Sequence, residues 1–156
     1  MAMEILKDSR VRSVEWRDLC ELKHWDVVHE LFISAPWLIL SLLLAYFQYW
    51  FFASAASFMF FLCGLRQAHN AYHYAIGISV RAHEVLIFLL SMVMLTSLHA
   101  VQFNHLRHHR YCMEDKDVEA TSATMSWWRA ILYGPRFTYL LQKTAYTEGS
   151  STLRKW

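Results

Sequence analysis

Polar and apolar positions fall into blocks along this chain. The first thirty residues mix bases with acids, Lys7, Arg10, Arg12, Arg17 and Lys23 among them. From Leu31 to Leu65 there follow 35 residues with no charge, LFISAPWLILSLLLAYFQYWFFASAASFMFFLCGL. One spanning helix takes about 20 residues, and two with a turn take roughly 34 to 40. The run therefore reads as one long tilted helix or as a tight hairpin of two. The bases before it, and Arg66 and Arg81 after it, favour the hairpin. Basic flanks stay on the cytoplasmic side, which requires an even number of crossings. Small residues in ASAAS, Ala53 to Ser57, would let two helices approach closely, and Trp37, Tyr46 and Trp50 suit a membrane interface.

A second apolar stretch, VLIFLLSMVMLTSL, covers Val85 to Leu98. As a helix it reaches only about 21 Å, short of a hydrocarbon core of ~30 Å. That length predicts a re-entrant or interfacial helix, although continuing through His99 to Asn104 would just complete a span. Further on, SWWRAILYGPRFTYLLQK, Ser126 to Lys143, mixes tryptophan, tyrosine, arginine and leucine around Gly134-Pro135. It reads as helical pieces broken at that dipeptide, lying in the interface or packed on the rest of the protein. The expected fold class is all-α: an integral membrane protein with a transmembrane helical hairpin plus re-entrant or interfacial helices. Residues 1–30 form a cytosolic segment ahead of it.

Composition agrees with the blocks. Of 156 residues, 56% are hydrophobic and only 18% are charged, which is apolar for a soluble chain of this size. A net charge of +2, with no basic tract, argues against a nucleic-acid partner. The cysteines, Cys20, Cys63 and Cys112, are odd in number and form no CxxC pair, so a disulfide framework is not expected and a reducing compartment fits. No secretory signal peptide is visible in the mixed-charge N-terminal segment.

The chemistry sits in the histidines. HNAYH places His69 and His73 four apart, and HLRHH places His105, His108 and His109 at i, i+3 and i+4. On a helix each set shares one face, the geometry by which a helix offers several imidazoles to a metal. A lone histidine here would read as interfacial. Five in two such sets, within 41 residues of a membrane chain, read as a metal site. If both sets serve one centre, both lie on the same membrane side, and Val85–Leu98 cannot cross. Its short length says the same independently. All-imidazole donors without CxxC or HExxH disfavour structural zinc and zinc proteases. Iron, copper, nickel and zinc all accept imidazole, and an apolar surroundings points toward iron acting with O2 on an apolar substrate.

HxxxH at the end of a hydrophobic hairpin, then HxxHH after a short apolar segment, resembles the membrane fatty acid desaturase superfamily. QFNHLRHHRYCMEDKDVEA is similar to the second histidine box and acidic continuation of its bacterial members. The likeness covers residues 31 to about 120, so 31–156 would be a partial desaturase-like domain. It implies His69, His73, His105, His108 and His109 as ligands of a non-haem di-iron centre. It also implies an O2-dependent oxidoreductase that desaturates or hydroxylates a long lipid acyl chain. The implied donor is a cytochrome or ferredoxin-type protein. The implied place is the bacterial inner membrane, with the boxes facing the cytoplasm. Carotenoid ketolases and hydroxylases share the superfamily. From another class comes a non-catalytic metal- or haem-binding membrane protein.

The sequence departs from that pattern by lacking a third box: no histidine follows His109. Five box histidines cannot fill two iron spheres, so the chain is expected to be the front part of such an enzyme and not to turn over alone. The other histidines are weaker candidates. His99 closes the apolar segment on a different face, His83 in RAHE reads as solvated, and His24 and His29 read as surface or interfacial. Asn70, Asn104 and Gln67 could orient imidazoles but read first as ordinary polar residues. Cys112 is a remote ligand candidate. Glu114, Asp115, Asp117 and Glu119 read as an acidic loop, solvated or paired with Arg107, Arg110 and Lys116.

Overall fold

The computed structural model describes residues 21–114 and 116–149. Cys20 and Asp115, with most of the N-terminal segment, lie outside the described residues. The described residues are all helical or irregular, with no strand among them. The helices are α1 (His24–Phe32), α2 (Ala35–Tyr46), α3 (Trp50–Tyr72), α4 (Val80–Met94), α5 (Leu98–Tyr111) and α6 (Trp127–Glu148), with a 3-10 turn at Glu119–Ser122.

The charge-free block folds as a hairpin. α2 and α3 pack along each other and reverse at Phe47–Tyr49, where Gln48 takes a left-handed φ of 63°. Small residues make the contact: Ala53 and Ala56 are buried, and the Ser41 hydroxyl meets Ser57 Oγ at 2.6 Å. The outside stays apolar, with Leu42, Leu43, Phe47, Phe51, Phe52, Phe58 and Phe61 all exposed. Two stretches, His24–Tyr46 and Trp50–Tyr72, are long and apolar enough to cross a membrane, which suggests membrane association. A contiguous apolar surface of that kind is rare on a soluble monomer. The helical run thus reaches back to His24, seven residues before the charge-free block begins, and on to Tyr72, seven residues beyond its end.

Polar side chains lock one end of this pair. Glu30 is buried and accepts hydrogen bonds from Arg66 Nη2 at 2.9 Å and Asn70 Nδ2 at 2.6 Å. Gln67 Nε2 donates to the Leu31 carbonyl at 2.7 Å, while its Oε1 accepts from the Ser34 hydroxyl at 2.6 Å. Buried polar groups with complete partners fix one arrangement. These bonds set the rotation of the last turns of α3, where the first histidine pair begins. They also show that Asn70 and Gln67 brace helices rather than imidazoles.

The second apolar stretch does not continue as one straight helix. It breaks at Leu95–Ser97, and α4 and α5 meet at a bend of 114°. Leu95 adopts the left-handed region (φ 54°), and the Ser91 hydroxyl accepts the Leu98 amide across the bend. Ser97 caps α5 by accepting the Ala100 amide. The small core lies where α3, α4 and α5 meet: Ala68, Ala71, Tyr72, Ile76, Ile87, Leu90 and Leu98.

Two expectations need correction here. His83 is fully buried in the first turn of α4, not solvated. Its Nδ1 lies 3.0 Å from the Ser79 carbonyl and its Nε2 accepts the Ile76 amide at 3.4 Å, so the ring satisfies two backbone groups at a helix start. The Gly134-Pro135 dipeptide breaks nothing: α6 runs through it as one helix. Proline leaves the carbonyl four residues back without its donor, a cost the long helix tolerates at an exposed position.

Candidate metal centre

Each histidine pair reaches the site through a local reason. His69 sits in the last full turn of α3 and His73 caps that helix, so the four-residue spacing stacks them with ring centroids 5.0 Å apart. α5 leaves the bend alongside the end of α3, tied by the Gln102 amide donating to the Tyr72 carbonyl at 3.2 Å. That register brings His105 under the first pair. Its ring centroid lies 4.7 Å from His69, 5.1 Å from His73 and 4.7 Å from His109.

The ring nitrogens converge more closely. His105 Nε2 lies 3.1 Å from His73 Nε2 and 3.1 Å from His109 Nε2. Two nitrogens at that separation, each about 2.1 Å from one ion, subtend roughly 95° at it. Both could hold the same ion. His69, His73 and His105 each offer a donor atom within 4.8 Å of the others. Four of the five candidate histidines thus share one locus.

His108 stands apart. Its ring lies 6.3 Å from His105, and its Nδ1 is 2.7 Å from Asp117 Oδ2. With Cys112 and Asp117 it makes a second group of donors within 4.8 Å. Asp117 is committed elsewhere too: it accepts the Met113 amide at 2.8 Å and the Ala120 amide at 3.2 Å, stapling the turn after α5.

Asp117 and Glu119 of the acidic segment are neither solvated nor paired with the nearby bases. Asp117 is buried beneath His108, and Glu119 Oε2 lies 3.0 Å from His105 Nδ1. Arg107 pairs instead with Glu148 of α6. Glu114 is exposed. A carboxylate on Nδ1 holds the proton there and leaves Nε2 free as a ligand, which fixes the tautomer of a metal-binding imidazole. Sequence spacing could not show this, because loop residues have no periodicity to place them.

No family model, curated protein or solved structure matches this chain. The site therefore rests on its own geometry.

Electrostatics favour a neutral His73 ring. Burial first, then the neighbouring His105, His69 and His109, hold the His73 ring below the ordinary imidazole value. Burial works against charge on Asp117 as well. Yet its carboxyl lies below the usual range, because the Met113 amide, the His108 ring and the Ala120 amide all favour the anion. A neutral imidazole is what a divalent cation requires of such a ligand.

The remaining candidates lie off the centre. His99 Nε2 bonds Glu84 at 3.0 Å, and the other oxygen of Glu84 accepts the Tyr74 hydroxyl at 2.6 Å. Asn104 donates to the Ala100 carbonyl and to the Leu141 carbonyl of α6, so it docks helices instead of orienting a ring. His24 and His29 are exposed.

Proposed function

We propose that this chain carries histidine ligands of a membrane-bound, non-haem iron oxidoreductase centre of the desaturase or hydroxylase type, acting on long acyl chains. The observation that supports it best is the convergence of His73 and His109 on His105 at 3.1 Å nitrogen contacts, with His69 packed against His73 and His105, beside the polar end of two span-length helices. Under this reading α2 and α3 cross the bilayer. The bent pair α4–α5 then dips in and returns, because each arm is too short to cross: 15 and 14 residues reach only about 21 to 23 Å. Both histidine sets then face the cytoplasm, where a cytochrome or ferredoxin-type donor would dock. In a bacterium this is the inner membrane.

The donor set fits one transition ion well. Imidazole suits iron, and His105 is held in the tautomer a ligand needs. It falls short of two: four converging rings, with His108 beside them, do not complete two six-coordinate spheres. When bound, iron would supply the activation of O2 that removal of hydrogen from an unactivated C–H bond requires. The protein's own contribution is to hold ring planes, fix tautomers and keep one side of the site against the apolar core through Tyr72, whose ring lies 5.9 Å from His105. Haem is the poorer reading. Two imidazoles that hold a haem need room for the macrocycle between them, and the ring nitrogens here lie only 3.1 Å apart.

The test is metal content. The chain purified in neutral detergent from iron-supplemented cells should retain iron without a Soret band, and His105→Ala should lose it. A protein that retains no transition metal, or one whose metal survives His105→Ala, refutes the centre. Acyl desaturation by the 156-residue chain alone would refute its incompleteness.

A further inference from the structure

The face of α5 turned away from His105 and His108 carries its own constellation. His99, Phe103, Arg107 and Arg110 recur at helical spacing along it. Together with Tyr74, Tyr111, Lys116 and Glu148 they line a cavity of about 640 Å³. That volume falls within the range of small-molecule sites, roughly 300 to 1,000 Å³.

Its charge is unbalanced. Arg107, Arg110 and Lys116 line it against one carboxylate, Glu148. Arg107 is bound to Glu148, and its Nε is buried with no hydrogen-bond partner among the described residues. Arg110 and Lys116 have no carboxylate partner among the described residues. Both instead gather on Tyr111, 5.4 Å and 5.7 Å from its ring centre, as does Arg107 at 5.8 Å. Three cations around one aromatic ring repel one another, so an anion placed between them relieves that repulsion. Phe103, Tyr74 and the exposed Leu106 give the same cavity an apolar wall. A ligand that satisfies both features has an anionic head and an apolar body.

Position selects among such ligands. Tyr74 lies two residues past Tyr72, where the span-length helix α3 ends. The cavity therefore lies at the level where a bilayer's head groups would begin. Arginine and lysine at that level bind phosphate through charge-assisted hydrogen bonds. We infer that this cavity binds the phosphate head group of an anionic membrane phospholipid. The inference concerns neither the histidines of the candidate metal centre nor any metal, and it stands or falls apart from them.

The shared chemistry is phosphate, so the experiment separates lipid from free anion. The full chain in neutral detergent is titrated with dihexanoyl-phosphatidic acid, with dihexanoyl-phosphatidylcholine and with inorganic phosphate, following heat by calorimetry. Phosphatidate should bind saturably, at least tenfold more tightly than either control. Arg110→Gln/Lys116→Gln, which removes two exposed cations and no buried contact, should weaken phosphatidate binding at least tenfold. Three results would overturn the assignment: no saturable phosphatidate binding, equal affinity in the double variant, or inorganic phosphate binding as tightly as the lipid.

Discussion

Replacing Glu119 by glutamine keeps the shape of the side chain and removes its charge. Glu119 Oε2 lies 3.0 Å from His105 Nδ1, and the two side chains are only 18% and 14% exposed, so solvent screens the pair weakly. A hydrogen bond to a charged group contributes about 1.5 to 3 kcal/mol. At 1.4 kcal/mol per decade, its loss corresponds to roughly 10- to 100-fold in metal affinity, the range found when a carboxylate behind a metal-bound histidine is removed. Glutamine can still accept the Nδ1 proton, so Glu119→Gln should sit toward tenfold and Glu119→Ala toward a hundredfold. His105 is the right ring to perturb, because its Nε2 contacts both His73 and His109. Glu84→Gln is the matched control, since Glu84 holds His99, which lies outside the centre. The assay is Co²⁺ binding to the metal-free protein in detergent, followed by visible absorption against a competing chelator. Wild-type affinity in Glu119→Gln, or an equal loss in Glu84→Gln, would refute the tautomer argument.

The fold makes further measurable demands. Asn104→Ala removes two amide hydrogen bonds, one of them to Leu141 of α6. It should cost about 1 to 3 kcal/mol and expose α6 to limited proteolysis; an equally protected α6 would remove Asn104 from that role. His73 titrates below 6.5 in the fold, so charging it costs folding free energy. Stability of the metal-free protein is then intact above that value and lost as pH falls below it. His73→Gln should flatten that loss in a thermal melt, and an unchanged pH profile would count against it. Pro135→Ala should restore a helical donor inside α6, worth up to about 3 kcal/mol. Amide exchange around Ile131 should slow, and faster exchange would mean that the proline holds a needed bend.

Much of the architecture could be read from the order of residues because its cause is local. A charge-free block has one physical home, and its basic flanks favour a hairpin over a single long helix. Four-residue histidine spacing needs only helical geometry, and it places His69 beside His73 and His105 beside His109 in the structure. What local spacing leaves open is what tertiary partners decide. His108 shares a spacing with His105 and His109, yet Asp117 draws it aside. Asp117 and Glu119 look solvated in sequence, because nothing local reveals that the turn after α5 folds back onto the rings. His83 looked exposed because RAHE is polar, while its ring in fact satisfies Ser79 and Ile76. Pro135 looked like a break because propensity was read without the length of helix on either side.

The bend between α4 and α5 joins the membrane argument to the chemical one. A straight helix from Val80 to Tyr111 would span 32 residues, about 48 Å. It would carry His105 and His109 far from the end of α3, across any bilayer that α3 itself crosses. The turn of 114° at Leu95–Ser97 cancels most of that reach and returns α5 to the end of α3 from which it set out. Ser91 and Ser97 supply the hydroxyls that satisfy the amides freed at the break. Without those bonds the unpaired groups would favour the straight helix, since an unsatisfied amide in an apolar setting costs several kcal/mol. The two serines, 14 and 8 residues before His105, therefore decide whether the second histidine set can meet the first. A metal site that depends on a bend should weaken when the bend's own hydrogen bonds are removed, even though neither serine touches an imidazole.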